Sequence, residues 1–262
     1  MRKSPLKVIQ VFVTLAACAF LLVPTLQSVL AGITVNYFRG ISSGLTLDWV
    51  FKVWELYADS IFLSIWLAIS CLAVTLVIGV PAAYALARNP GRLSRMLEEF
   101  ISLPLAVPGL ALALALLQLY GSMKGFRASW TFILVGHVLY TLPFMVRSVL
   151  SVLAAIDLKT LEEGAASLGA GPFQRFVDIV IPNAMPGILA GALTVVTLSI
   201  GEFNLTWMLH TPFTKTLPVG LADSYASMRL EVASAYTLVF FVMIVPLLVA
   251  MQWASTRVQR MG

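Results

Sequence analysis

The chain has 262 residues, of which 60% are hydrophobic and only 11% charged, with a mean hydropathy of +0.93. A soluble core of this size cannot hide so much apolar surface, since soluble domains are about a quarter charged, so the class is integral membrane protein. The net charge of +5 would suggest nucleic acid in a soluble chain; here it matches the lysines and arginines that fix topology, and no nucleic-acid partner is expected.

The apolar runs are continuous, without the alternation of barrel strands, and several reach the roughly 18–20 residues that cross a bilayer as a helix. An all-α polytopic fold is predicted, with six spans near 8–31, 60–87, 100–120, 129–149, 186–207 and 234–255. The first follows Arg2, Lys3 and Lys7 and ends in Val29-Leu30-Ala31, which looks like a signal-cleavage site. It is longer than the roughly 7–15 residues of a signal core, so retention as a span is expected. Cys18 and Cys71 fall inside spans and read as buried thiols; no Cys/His spacing suggests a metal.

Charge placement orients the spans. Arg2, Lys3, Lys7, Arg88, Arg92, Arg95, Arg147, Lys159, Arg175, Arg257 and Arg260 fall on one side, against Arg39, Lys52, Lys124, Arg127, Lys215 and Arg229 on the other. The positive-inside rule then puts both termini in the cytoplasm. The chain divides into 1–56 (tip, first span and outer loop), a transmembrane domain 57–256, and a tail 257–262. Trp49, Trp54 and Tyr225 lie in the two outward connections, 32–59 and 208–233, and Trp207 stands at the edge of the second, as headgroup-level aromatics do.

Within the third run, Pro104, Pro108 and Gly109 allow a bend and a close helix approach, with pore lining and plain packing equally open. Glu98 and Glu99 are expected at its helix N-terminus, where acids are favoured. His137, with Tyr140 at i+3, is expected to bond between helices, a substrate role being the lesser alternative. Arg88 and Arg147 read as anchors. The fifth run ends in Ser199–His210, SIGEFNLTWMLH, where Glu202 and Asn204 interrupt it. Glu202 either lines the pathway and meets a cation or is a hydrated interfacial carboxylate.

The longest inward connection, 157–182, is patterned. Asp157 and Thr160 suit an N-cap, and Thr160 to Glu163 fits a capping box. Leu158, Leu161, Ala165 and Leu168 share one face, opposite Lys159, Glu163 and Ser167. Gly169 and Gly171 end this helix, Pro172 starts a second with an apolar face of Phe173, Phe176, Val177 and Val180, and Pro182 and Pro186 break the chain as it re-enters the membrane. Periodicity alone leaves a surface-lying helix and a docking element for a soluble partner equally open; the small residues Gly164, Ala165, Ala166 and Gly169 favour docking.

This loop resembles the EAA loop of bacterial ABC-importer permeases, with the pattern E-A-A, three residues, Gly, nine residues, I-x-L-P. Here it reads Glu163-Gly164-Ala165, then Gly169, then Ile179-Val180-Ile181-Pro182, with Gly164 for the first alanine and Ile181 for the leucine. The third and fifth runs resemble the same permeases. The resemblance implies a six-span MetI-like, type I fold over about 57–256, in a bacterial inner membrane. It also implies a loop that docks on a separate ATPase dimer through Leu161, Glu163, Gly164, Ala165, Leu168, Gly169, Ile179 and Pro182. A second permease subunit, commonly a paralogue, and a periplasmic or extracellular substrate-binding protein would complete the assembly.

No GxxxxGK[ST], HExxH or GxSxG is present, so no catalytic residue, cofactor or metal is expected, and ATP hydrolysis falls to a partner. Pathway candidates are Pro108, His137, Glu202 and Asn204. General likeness favours a polyamine or aminophosphonate substrate, with ferric iron, thiamine, a sugar or an oxyanion as alternatives. A stand-alone secondary transporter or membrane-embedded enzyme is disfavoured, because intramembrane charge, repeats and clustered acids, histidines or cysteines are lacking.

Overall fold

The computed structural model describes residues 5–261. Arg2 and Lys3, and the side chains of Arg257 and Arg260, which the topology expectation uses, lie outside the described residues. The described residues are helical apart from turns and one isolated antiparallel bridge between Thr34 and Leu45.

Helix α1 (Pro5–Ala31) has no buried side chain over its apolar stretch; Cys18, expected to be buried, is exposed on it. A short 3-10 turn, Gly40–Ser43, leads to α2 (Asp48–Arg88), which is kinked at Tyr57 (φ −137°, ψ 16°). Asp48 opens α2 and Arg88 closes it, each complementing the helix dipole.

The third expected span is two helices. α3 (Arg92–Ala106) and α4 (Gly109–Tyr120) meet at 103°. Val107 precedes Pro108 and is therefore pushed out of the helical region, to φ −95° and ψ 127°. Glu98 and Glu99 consequently lie in the middle of α3, away from any helix N-terminus. Helix α4 is only about 18 Å long, well short of a bilayer core of about 30 Å.

After α5 (Lys124–Arg127), α6 (Trp130–Leu153) starts at a Ser129 cap whose hydroxyl accepts from Thr131 N at 3.2 Å. Then come α7 (Leu158–Ser167), α8 (Pro172–Arg175), a π-helical turn Phe176–Val180, α9 (Ile181–Gly201), α10 (Asn204–Leu209), α11 (Leu217–Ala226) and α12 (Leu230–Met261). The second amphipathic segment is therefore not a separate helix. Pro172–Gly201 forms one apolar rod, and Pro182 and Pro186 ride inside it. The π turn widens the backbone just before Pro182, and Asn183 Nδ2 donates to the Ile179 carbonyl at 2.7 Å, supplying a donor beside a proline that has none. Among the described residues, five helical stretches are long and apolar enough to cross a membrane, six when the bent α3–α4 pair is counted as one span.

The chain falls into two compact units. One runs up to Ala58 and takes in Gly220–Met243. It is tied by Trp49 Nε1 donating to Thr34 O (3.0 Å), Tyr37 N donating to Glu231 Oε1 (3.0 Å), and the Tyr57 and Tyr236 rings 4.8 Å apart. The other holds Asp59–Val219 and resumes at Ile244. One of its cores joins Cys71, Ala83, Met145, Val149, Val180 and Val195; a second joins Leu67, Ala113, Leu116, Phe132, Leu205 and Leu209. α6 and α9 approach so closely that a Cβ on Gly187 would lie 2.5 Å from the Ser148 carbonyl oxygen. Small residues at such crossings let helices pack where the hydrophobic effect gives no help.

Candidate functional site

The 157–182 loop is held by its own first residue. Asp157 accepts from Thr160 N (3.3 Å) and from the Thr160 hydroxyl (2.7 Å), and these bonds, the hydroxyl foremost, hold its carboxyl below the usual carboxylate value. The capping box centred on Thr160 does not form. With Asp157 as cap, Thr160 is already in the first turn, and Glu163 turns outward to Lys159 at 3.8 Å. At the other end, Ala170 N bonds to Ala165 O and Gly169 N to Ala166 O, both at 3.0 Å. This double closure places Gly169 at φ +89°, a conformation that glycine reaches without strain.

The expected apolar face of α7 splits in two. Leu158 turns inward, whereas Leu161 is exposed and Leu168 is 90% exposed. Phe173, across the glycine corner, is 80% exposed. Gly164, Gly169 and Gly171 lie among these side chains, and a Cβ on any of them would meet nothing within 4 Å. A cleft of about 260 Å³ opens inside the corner, lined by Ala165, Leu168, Gly169, Arg175, Asp178 and Ile179. Pro182 is exposed at the first turn of α9. Of the eight docking candidates, Leu161, Glu163, Gly164, Leu168, Gly169 and Pro182 are exposed, while Ala165 and Ile179 are half-buried.

The inward position one turn after Leu158 belongs to Glu162, only 3% exposed. Tyr84 Oη donates to its Oε1 at 2.5 Å, and Arg88 Nε lies 3.3 Å from Oε2. Arg88 also stands over the Tyr84 ring at 5.8 Å, and Tyr84 packs against Phe176 at 5.4 Å. Sequence reasoning missed this cluster by taking Arg88 as an anchor alone. The available signal was spacing: Glu162 lies four residues after Leu158 and so shares the face of that inward-turned leucine, whereas Glu163 is turned about 100° away from it.

A second polar group lies where α9 breaks. Glu202 Oε1 accepts from Leu205 N (3.0 Å); its Oε2 accepts from Thr206 N (2.9 Å) and the Thr206 hydroxyl (3.0 Å). The carboxylate thus caps α10. His137, fully buried, bridges the break, with Nδ1 2.8 Å from Ser199 Oγ on α9 and Nε2 2.8 Å from Thr206 Oγ1 on α10. The hydroxyl proton of Thr206 goes to Glu202, so the hydroxyl oxygen accepts from His137 Nε2. Pro108 ends the α3–α4 bend, and a Cβ on the adjoining Gly109 would lie 3.6 Å from Asn204 Cβ and 3.7 Å from Glu202 Oε1. The four pathway candidates therefore converge on one region. No cluster of three His, Cys, Asp or Glu able to hold a metal occurs among the described residues.

Residues 75–260 match the family model described as "Binding-protein-dependent transport system inner membrane component". The chain belongs to this family. As a permease, it is 31% identical over 194 residues to the molybdenum transport system permease protein ModB of Azotobacter vinelandii, covering 68% of this chain and 84% of that one. It is 28% identical over 193 residues to the putative 2-aminoethylphosphonate permease PhnV of Salmonella typhimurium (73% and 68% covered). It is also 27% identical over 221 residues to the spermidine/putrescine permease PotB of Escherichia coli (77% and 79% covered). The fold matches an inward-facing MetNI methionine ABC transporter (TM-score 0.63, 18% identity, 80% and 97% covered). It matches a bacterial alginate ABC importer as well (TM-score 0.71, 14% identity, 96% and 95% covered). This is an inner-membrane importer permease with the MetI-like fold; it is not an enzyme, and ATP hydrolysis belongs to a separate subunit.

Proposed function

We propose that this permease forms half of a translocation pathway and receives force from its ATPase through the outer face of the 157–182 loop, on the cytoplasmic side. One observation carries the proposal: Leu161, Leu168 and Phe173 stand exposed around three open glycines. Apolar side chains beside bare backbone suit a close protein contact. Glu163, exposed on the same helix and joined to Lys159 only by a solvent-exposed pair at 3.8 Å, presents a carboxylate to a basic group on the ATPase. The other half of the pathway is a second permease subunit, a paralogue by the general likeness to the polyamine group, with a substrate-binding protein delivering cargo from outside.

The test is co-purification with the ATPase subunit encoded alongside, and substrate uptake in cells. Gly169→Leu is expected to insert normally yet abolish uptake and release the ATPase. Uptake that persists without any ATPase subunit overturns the proposal.

For the substrate, the likeness to PotB and PhnV supports a polyamine or aminophosphonate. An oxyanion is the second reading, supported by likeness to the ModB permease and by Glu202, whose oxygens both already accept from α10. A carboxylate engaged in this way has less to offer a cation. Thermal shifts of the companion binding protein with putrescine, 2-aminoethylphosphonate, molybdate and sulfate discriminate between the two.

A further inference from the structure

We infer that Glu162 is a positioning residue that passes movement of the 157–182 loop into α2, by clasping Tyr84 and Arg88. The inference rests on the loop docking to the ATPase and adds the route by which that contact reaches the membrane helices.

The covalent routes out of α7 are soft. Residues 154–157 form a turn before it, and the corner after it holds Gly169 at φ +89° and Gly171. Rotation about such joints dissipates a push. Glu162 lies in the middle of α7, away from both joints, and is attached to the last turn of α2 by a 2.5 Å hydrogen bond and a 3.3 Å ion pair.

Tyr84 is also gripped from the other arm of the loop, where Phe176 opens the π turn and packs on its ring at 5.4 Å. The end of α2 therefore sits between both arms of the loop. Moving α7 without α2 would strand a buried carboxylate, a larger penalty than sliding one apolar contact.

Charge chemistry favours transmission over simple stability. A leucine would cover the end of α2 at least as well, since buried ion pairs contribute little net stability compared with good apolar packing. What the pair supplies is directionality: two fixed bonds that define one register of α7 on α2.

The experiment uses the assembled importer in proteoliposomes with its binding protein, comparing wild type, Glu162→Gln and Tyr84→Phe. Both variants are expected to retain the ATPase subunit at wild-type stoichiometry and to keep basal ATP hydrolysis within about twofold. Transport per ATP, measured with whichever of putrescine, 2-aminoethylphosphonate, molybdate or sulfate stabilises the binding protein, should fall at least tenfold, with loss of stimulation by loaded binding protein. A wild-type transport-to-ATP ratio in Glu162→Gln overturns the inference, and so does loss of the ATPase, which would make Glu162 a docking residue. If Glu162→Gln does not accumulate, Tyr84→Phe, which removes one hydroxyl, decides by the same ratio. A wild-type permease that retains no ATPase would instead overturn the docking proposal itself.

Discussion

His137 Nε2 and Thr206 Oγ1 lie 2.8 Å apart across the break between α9 and α10, and the same imidazole reaches back to Ser199 at 2.8 Å. One side chain from α6 thus ties together the two helices that Gly201–Phe203 would otherwise leave loosely joined. His137→Leu leaves both hydroxyls without this partner. The expected loss is about 1–3 kcal/mol, read as a lower denaturation midpoint of the purified permease; His137→Gln, able to serve one of the two, should lose less.

Gly187 is required by space. Any Cβ there meets the Ser148 backbone oxygen at 2.5 Å, and backbone cannot move aside as a flexible side chain can. Gly187→Val should destabilise by about 1–3 kcal/mol or prevent accumulation altogether, checked by membrane yield and thermal midpoint.

Gly164 tests the opposite case, because a side chain there meets nothing in this chain. Gly164→Ala should stabilise α7 by up to about 1 kcal/mol and leave uptake close to wild type, matching the alanine of the loop pattern. Gly164→Trp should fold equally well but lose the ATPase on co-purification. If the tryptophan variant retains it, this face is not the dock.

Asp157 gives α7 a pH dependence. Its carboxyl is held low chiefly by the Thr160 hydroxyl, so the ionised form is the one that stabilises the helix start. That support is complete above the ordinary carboxylate range and is lost as pH falls through the lowered value in the folded loop. Hydrogen exchange of the α7 amides, corrected for intrinsic rates, should therefore accelerate in acid. Asp157→Asn, which can still cap without ionising, should flatten the profile.

Hydropathy made the membrane class, the helical content and the number of spans readable, because bilayer length acts on composition alone. The 157–182 pattern was readable through its glycine spacing. The bend at Val107–Pro108 was half visible: the prolines marked a kink, but a turn of 103° depends on where the second helix finds its packing partners. Glu162 escaped because local periodicity treats a carboxylate as facing water, and its partners lie on α2, Tyr84 being 78 positions earlier in the chain. Pro182 misled for a related reason, since the π turn that accommodates it leaves no signature in residue type.

The π turn at Phe176–Val180 also acts as a phase setter between loop and membrane. An α-helix advances by about 100° per residue, so the compass direction of every side chain in the loop depends on how many residues separate it from α9. By taking more residues per revolution, the π turn stores part of that count as a wider coil. Deleting one residue within it should relax the coil to ordinary helix and preserve the bearing of the loop, whereas inserting one in α8 should swing the exposed face of Phe173 by roughly a quarter of a circle.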